Sequence, residues 1–152
     1  MYITVGEKKF EVSFLKDETE VKTIFGMQCQ YRIKLVNGNE KLLGGKCDMF
    51  FGNEQLKTEF GITDREIKFG YLANFGVASE FRSHGLGKEL LKQIINDNPN
   101  CVIGLCVRTI SDKIIPQSTL VKLYQQVDFK LIGYKELYYT DFKVPKMIFE
   151  PK

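Results

Sequence analysis

Near the middle of the chain, a strand-like apolar pattern changes within a few residues to a helix-like amphipathic pattern, and this change restricts the possible folds. The nearly continuous apolar run YLANFGVA ends in the turn EFRSHGLG, and the amphipathic pattern KELLKQIIND follows. The apolar run is typical of a strand that is covered on both faces. The helical spacing is carried by apolar residues: Leu86, Leu90, Leu91, Ile94 and Ile95. A second buried strand, CVIGLCV, comes next, so this region predicts a helix that crosses over a twisted sheet.

Further strands and helices are predicted on both sides of this unit. YITV and KKFEVSFL are predicted strands that meet at a Gly6-Glu7 turn. QCQYRIKLV and EKLLGGKCDMFF are predicted to pair through NGNE, which is a strong hairpin signal. REIKFGYLANFGVA, KLIGYKELYYTD and KMIFEPK are also predicted strands, and QSTLVKLYQQV is a second amphipathic helix. The segment FGNEQLKTEFGITD is ambiguous, and we interpret it as a loop with at most a helical turn.

The segment DETEVKTIFG is predicted to form a short helix. Asp17 can cap its N-terminus, and Glu20 completes the spacing of a capping box. Gly26 suits the C-terminal end. Val21, Ile24 and Phe25 would share one face.

The order of these elements predicts one mixed α/β domain over residues 1–152. We expect a strongly twisted central sheet of about six to seven strands, flanked by about two to three helices. The sequence contains no internal repeat and no Pro/Ser-rich linker, which agrees with a single domain.

Charge and cysteine content exclude several classes of protein. The net charge of +3, from 22 basic and 19 acidic residues, is too even for a typical nucleic-acid-binding protein. The four cysteines form no CxxC pair and His84 is the only histidine, so no metal site is expected. No apolar run approaches the roughly 20 residues that span a bilayer, and the start MYITVGEKKF lacks the core of a signal peptide. We therefore expect a cytoplasmic protein with reduced, mostly buried cysteines and no membrane partner.

The turn between the central strand and its helix is a candidate phosphate-binding site. Unpaired N–H groups and the helix dipole make a helix N-terminus attractive to anions, and Arg82 and Lys88 add positive charge. His84 either donates a hydrogen bond or is simply exposed. The alternative is a tight connection that merely needs glycine. The GxGxxG pattern is absent, and Glu89 stands where a P-loop requires Ser or Thr.

The stretch YLANFGVASEFRSHGLGKELL resembles the central motif of the GNAT superfamily of N-acetyltransferases. That motif is an apolar strand, a short link, and Arg/Gln-x-x-Gly-x-Gly/Ala at the start of a helix, here Arg82-Ser83-His84-Gly85-Leu86-Gly87. Downstream, LYQQVDF is similar to the family's Leu-Tyr followed by Gly-Phe, with Asp128 in place of the glycine. The resemblance extends roughly from residue 66 to residue 150, and it implies a GNAT-like fold.

The resemblance implies acetyl-CoA as the co-substrate, with no metal. The pantetheine arm is expected beside Phe75, Gly76 and Val77, where Gly76 would mark a bulge or a close approach. Gln117 occupies a slot that is often Asn, where it would bond the pantetheine or shape the helix start. Tyr124 occupies the slot of the tyrosine that protonates the departing thiolate. The pyrophosphate is expected on the backbone amides of the turn: Arg82, Ser83, His84, Gly85, Leu86, Gly87 and Lys88.

The activity that the resemblance implies is acetyl-CoA-dependent transfer of an acetyl group to a primary amine of a small molecule, peptide or protein. No general base is evident, because Tyr71 fills the slot that is Glu in some relatives, and Asp64 and Glu66 lie upstream. The segment from Asp17 to Phe25 is shorter than the two helices of many relatives, which favours an open acceptor site.

Two alternatives belong to other classes of protein. A non-catalytic acyl-CoA-binding sensor would explain the missing base, and a structural protein that has lost the ligand is the third possibility. The protein is expected to be a monomer or a homodimer. The aromatic segment ELYYTD could pair with a second copy at a sheet edge, or pack within the monomer.

Overall fold

A computed structural model describes residues 1–17, 19–108, 115–136 and 143–152. The described residues form one nine-stranded sheet and three α-helices. The strands are β1 (Tyr2–Val5), β2 (Lys8–Lys16), β3 (Val21–Thr23), β4 (Gly26–Asn37), β5 (Glu40–Phe51), β6 (Lys68–Val77), β7 (Cys101–Cys106), β8 (Lys130–Glu136) and β9 (Lys143–Phe149). The helices are α1 (Glu54–Glu59), α2 (Leu86–Asp97) and α3 (Gln117–Gln126).

The strand order is β1-β2-β4-β5-β6-β7-β9-β8, and β3 pairs with β4 beside this path. All recorded pairs are antiparallel except β6 and β7, which run parallel and are joined by α2. The predicted mixed α/β sheet with a crossover helix is therefore confirmed, with more strands than expected.

The main core lies between the sheet and the helices α2 and α3. Leu86, Leu90, Leu91 and Ile94 of α2 are almost completely buried, so the apolar stripe predicted for this helix faces the core. Residues that pair across antiparallel strands share a face. The opposite face is covered at one end by a small cluster, formed by Phe60, Phe69, Val102 and Ile148.

The predicted helix over residues 17–26 is wrong. Val21, Lys22 and Thr23 form β3, which pairs with the start of β4, where Val21 lies opposite Gln28. The Thr23 hydroxyl accepts from the Phe25 amide at 3.1 Å and donates to the Gly26 carbonyl at 2.8 Å, and these two bonds close a tight turn. A long neighbouring strand therefore overrides a local capping pattern.

Asp17 does not cap a helix. Its carboxylate accepts from the Thr19 amide at 3.2 Å and forms an ion pair with Arg32 at 3.2 Å. An Asx-type turn of this kind uses the same residue types as a helix N-cap. Gly26 begins β4 with a φ of 114° rather than ending a helix.

Most other predicted elements are confirmed. The NGNE hairpin turns at Gly38 and Asn39, with Asn37 opposite Glu40. The ambiguous segment contains the short helix α1, which begins after Asn53, whose side chain accepts from the Leu56 amide at 3.0 Å.

The four cysteines are free, and Cys29, Cys47 and Cys101 are buried. Among the described residues, no helix is long and apolar enough to cross a membrane. Of the segment ELYYTD, only Glu136, which ends β8, lies within the described residues, so the predicted pairing of its aromatic residues lies outside them.

Candidate functional site

A gap opens between the two parallel strands of the sheet. β6 and β7 pair from Lys68 and Cys101 as far as Leu72 and Leu105. Beyond this point β6 continues to pair with β5 up to Val77, while β7 pairs with β9. In the described part of the chain, the edge of β6 that faces β7 therefore has no strand partner after Leu72.

A β-bulge at Asn74 re-aims the side chains along this edge. Lys46 pairs with Gly76 and Asp48 pairs with Ala73, so Cys47 faces two residues of β6. Asn74 is the extra residue, with a left-handed φ of 55°, a conformation that Asn adopts more readily than most residues.

The extra residue reverses the alternation of β6. Leu72 faces the helices before the bulge, and Phe75 and Val77 face them after it, where both contact α2 at Gly87. A bulge was predicted from Gly76, but its extra residue is Asn74. Gly76 lies two residues later on the exposed side, where a Cβ atom would meet nothing within 4 Å.

The bulged strand directs backbone donors into the gap. The Ala78 amide donates to the Gly44 carbonyl at 2.8 Å, toward β5. Successive amides of an extended strand point to opposite edges, so the amides of Phe75 and Val77 point away from β5, into the gap. This part of β6 can therefore bind an extended ligand as an additional strand would.

The glycine turn presents a second set of donors. A 3₁₀ turn at Ser79–Phe81 follows β6. Ser83 and Gly85 then adopt left-handed φ values of 68° and 76°. Glu89 has the first amide that bonds within the helix, to the Gly85 carbonyl at 3.1 Å. Among the described residues, the amides of residues 83–88 donate to no protein acceptor, which leaves them available to an anion.

The two basic side chains of the turn lie beside these amides. The Arg82 Nε donates to the Val77 carbonyl at 3.1 Å, which ties the turn to the end of β6. The rest of its guanidinium keeps donors for a phosphate. Lys88 is half-buried in the first turn of α2.

His84 is half-buried, and its ring is engaged by the protein. Nδ1 lies 2.8 Å from the Arg82 carbonyl oxygen, and Nε2 lies 3.2 Å from the Thr4 carbonyl oxygen of β1. The option of a simply exposed histidine is therefore wrong, since the side chain links the turn to the N-terminal hairpin. Its backbone amide is one of the six available donors.

Gly87 and Leu86 fix the height of the helix above the strand. A Cβ atom at Gly87 would lie 3.1 Å from the Phe75 ring and 3.5 Å from Val77, so glycine permits a close approach. Leu86 is buried in the core, and only its backbone is available to a ligand.

Tyr124 lies on the other side of Phe75. The two ring centroids are 5.9 Å apart, and the centroid of Phe129 is 5.8 Å from that of Tyr124. The tyrosine is 6% exposed. Every fully buried side-chain oxygen or nitrogen among the described residues has a partner, and no described residue bonds the Tyr124 hydroxyl.

Burial raises the pKa of Tyr124 above its ordinary value, and the neighbouring Cys47 adds to the rise. The hydroxyl is therefore protonated across the neutral range and acts as a hydrogen-bond donor.

Gln117 and Asp128 occupy the two positions that depart from the family pattern. The Gln117 Nε2 donates to the Val107 carbonyl at 3.2 Å, so this side chain shapes the start of α3 against the end of β7. Asp128 has a left-handed φ of 69°. Asp tolerates this conformation better than most residues, so it can replace the family's glycine here.

Two residues of the site were missed by the sequence analysis. Asn74 forms the bulge, and its side chain donates to Asp48 at 2.8 Å. An asparagine inside an apolar strand pattern is the one local signal that could have identified it. Asp48 carries no such signal, because its partner is 26 residues away in the chain.

The acidic residues that were considered as bases remain outside the gap. Asp64 and Glu66 precede β6, where the Asp64 carboxylate accepts from the Glu66 amide at 2.9 Å, and both are exposed. Tyr71 pairs with Phe50 on the opposite face, and burial raises its pKa. In the described part of the chain, no group of His, Cys, Asp or Glu could hold a metal ion.

Solved structures share this architecture, although no model of a known protein family matches the sequence. NAA60 of Arabidopsis thaliana, in complex with a bisubstrate analogue, aligns over 82% of this chain and 77% of its own, with 13% identity and a TM-score of 0.63. The NatC complex bound to Gag peptide and CoA aligns over 81% and 71%, with 19% identity and a TM-score of 0.59. A GNAT acetyltransferase of Streptococcus pneumoniae aligns over 81% and 67%, with 17% identity and a TM-score of 0.53. The chain therefore has the GNAT fold, as its glycine turn predicts.

Proposed function

We propose that the protein is an acetyl-CoA-dependent N-acetyltransferase that transfers an acetyl group to a primary amine by direct attack on the thioester. One observation carries the proposal. Phe75, on the bulged part of β6, contacts both the first turn of α2 at Gly87 and the ring of Tyr124. An anion-binding turn, backbone donors and a protonated hydroxyl therefore surround one gap in the sheet.

The backbone of the gap suits each part of acetyl-CoA. The pyrophosphate binds the amides of residues 83–88, with Arg82 and Lys88 beside it. The pantetheine arm lies along Phe75, Gly76 and Val77 and pairs with the free edge of β6. An amide of this edge donates to the thioester carbonyl, where negative charge develops as the amine attacks. Preorganised donors of this kind stabilise an oxyanion without reorganisation.

Tyr124 acts on the leaving group. The carbon–sulfur bond breaks as the amide bond forms, and the departing thiolate receives a hydrogen bond and then a proton from the phenol. The nitrogen gives up its extra proton to water, and water returns a proton to the phenolate. The raised pKa of Tyr124 guarantees that the proton is present. An ordinary phenol titrates near pH 10 and a thiol near about 8.5, so the transfer depends on close positioning rather than on acid strength.

A peptide or protein amine suits the acceptor side best. The hairpin around β3 stands where many GNAT relatives carry two helices, which favours an open acceptor site. The structural neighbours NAA60 and NatC are solved with a bisubstrate analogue and with a Gag peptide, respectively. An open surface admits an extended chain, whereas a small amine usually requires an enclosing pocket.

The first test is ligand binding. Acetyl-CoA at about 100 times its dissociation constant is expected to stabilise the fold by about 2.7 kcal/mol, which raises the melting temperature by several degrees. The double variant Arg82→Glu, Gly85→Glu should lose this shift. Lys122→Glu, a charge reversal on the exposed side of α3, is the matched control and should retain it. The absence of a shift in the native protein at millimolar ligand would overturn the proposal.

The second test is turnover. Release of the CoA thiol is measured with peptides that offer an N-terminal amine, peptides that offer only a lysine amine, and small amines. Peptide-dependent thiol release with a stoichiometric acetylated product supports the proposal. A thermal shift without turnover on the whole panel favours the non-catalytic acyl-CoA-binding alternative instead.

A further inference from the structure

Asp48 is a buried carboxylate next to the bulge. It is 5% exposed, and it lies on β5 opposite Ala73, the residue that precedes Asn74. Among the described residues it forms no ion pair with a basic side chain. A buried charge without a cationic partner is costly unless hydrogen bonds compensate it, so its partners indicate why it is present.

Both carboxylate oxygens of Asp48 accept from side-chain amides. Oδ2 accepts from the Asn74 Nδ2 at 2.8 Å, and Oδ1 accepts from the Gln30 Nε2 at 2.9 Å. The Gln30 Oε1 accepts in turn from the Arg32 Nε at 3.0 Å, which fixes the orientation of the Gln30 amide. Arg32 is itself paired with Asp17 at 3.2 Å. The result is a chain of oriented bonds across β4, β5 and β6 that ends at Asn74.

The last bond of this chain acts on the least favourable backbone position of β6. Left-handed backbone is strained for residues other than glycine, although less for Asn than for most, and Asn74 has this conformation. A hydrogen bond to a charged acceptor is roughly twice as strong as one between neutral groups. The Asp48 bond therefore offsets the strain of the bulge.

We propose that Asp48 is a positioning residue, whose hydrogen bond to Asn74 stabilises the bulge and so directs the amides of Phe75 and Val77 into the gap. We call this stabilising Asp48–Asn74 hydrogen bond the brace. The identity of the ligand in the gap rests on the proposed function, but the brace does not. A direct role as an anchor for the acceptor amine fits less well, because Asp48 is 5% exposed and each of its oxygens already has a donor.

Two ligands of different length distinguish a loss of the brace from a general loss of structure. CoA spans the turn and the bulge, whereas adenosine 3′,5′-bisphosphate can reach only the turn. In Asp48→Ala the affinity for CoA should fall about tenfold, the equivalent of one hydrogen bond to a charged group. The affinity for adenosine 3′,5′-bisphosphate should stay unchanged. An equal loss for both ligands, or no loss for CoA, would contradict the proposal.

Variants of Asn74 test whether Asp48 acts through this residue. Asn74→Gly keeps the left-handed backbone without strain, so CoA affinity should stay near that of the native protein. Asn74→Ala carries both the strain and the lost bond, and it should be at least as weak as Asp48→Ala. In the Asn74→Gly background, Asp48→Ala should cost little more. If it costs the full tenfold there, Asp48 acts on the ligand directly and the brace is refuted.

An isosteric variant guards against a failure to fold. Asp48→Asn has one acceptor oxygen in place of two, so it can serve Gln30 or Asn74 but not both. Its CoA affinity should lie between those of the native protein and Asp48→Ala.

Amide hydrogen exchange tests the brace even if the protein binds no CoA. The Ala78–Gly44 bond at 2.8 Å protects the end of β6. Exchange over residues 73–78 should be faster in Asp48→Ala and Asn74→Ala, and native-like in Asn74→Gly. Failure to bind CoA with this exchange pattern would refute the proposed function alone. Unchanged exchange in Asp48→Ala would refute the brace.

Discussion

The ring and the hydroxyl of Tyr124 differ in the contacts that they make with the described residues. The ring packs between Phe75 and Phe129, while no described residue bonds the hydroxyl. These two parts can be separated by removing one atom. Tyr124→Phe is expected to lower turnover by roughly 10²–10⁴-fold, the range for a lost general acid, with acetyl-CoA affinity and melting temperature unchanged. Steady-state kinetics and thermal unfolding measure the two effects.

The matched control is Tyr134→Phe, a tyrosine of β8 that is 57% exposed. It should leave turnover unaffected. Because the pKa of Tyr124 is raised by burial, ionisation of this phenol should not reduce the native activity below about pH 10, the ordinary value for tyrosine. A Tyr124→Phe variant with full turnover would remove this residue from the mechanism.

The hairpin formed by β3 and the start of β4 is the element on which the sequence interpretation failed. Replacement of Gly26 distinguishes the predicted helix from the observed hairpin. At the C-terminal end of a helix, replacement by Ala would cost roughly 1–2 kcal/mol, the strain of a left-handed residue. In the hairpin, Gly26 has a φ of 114° and an added Cβ would overlap the Phe51 carbonyl oxygen. We therefore expect Gly26→Ala to lower the free energy of unfolding by more than about 2 kcal/mol, as measured in urea.

Gly6→Ala is the control for the backbone contribution alone. Gly6 also has a positive φ, of 63°, but a Cβ atom there would meet nothing within 4 Å. Its cost should be roughly 1–2 kcal/mol, the strain of a left-handed residue. Equal costs at the two positions would argue against the close approach of Gly26 to β5.

The elements that were predicted correctly are those with strong local signals. The apolar stripe of α2, the NGNE turn and the apolar runs of β6 and β7 each lie within a short window of sequence. The segment from Asp17 to Gly26 failed because its capping residues serve an Asx turn equally well, and the competing strand is a tertiary partner. The extra residue of the bulge, Asn74, was missed because its hydrogen bond joins residues 26 positions apart. The glycine turn was recognisable because all its special backbone positions are contiguous.

Several ionisable groups of the whole molecule are buried in their neutral forms. Burial raises the pKa of Tyr31 to about 12, and it raises the pKa values of Cys47, Tyr71 and Tyr124. Tyr31 is 1% exposed, and its hydroxyl oxygen accepts from the Asn98 Nδ2 at 3.1 Å. In the unfolded chain these groups ionise at their ordinary pKa values, about 8.5 for thiols and about 10 for phenols.

The sign of the pH dependence follows from where the protons are bound. Above the unfolded pKa the unfolded chain has lost a proton that the folded chain still holds, so unfolding releases protons and rising pH favours it. Each such group lowers the free energy of unfolding by about 1.4 kcal/mol per pH unit between its unfolded and folded pKa values. The stability should therefore be nearly constant from about pH 7 to 8, fall beyond about pH 9, and fall more steeply beyond about pH 10.

Urea unfolding at successive pH values measures this slope, and single variants assign it. Tyr31→Phe should flatten the curve above about pH 10, while Asn98 keeps its bond to the Ile94 carbonyl at 2.8 Å. Tyr134→Phe, at an exposed position, should leave the curve unchanged. If the native protein and Tyr31→Phe give parallel curves up to about pH 11, the buried phenol does not control the alkaline limit. The loss of stability would then have to come from Tyr71, Tyr124 or the buried thiols.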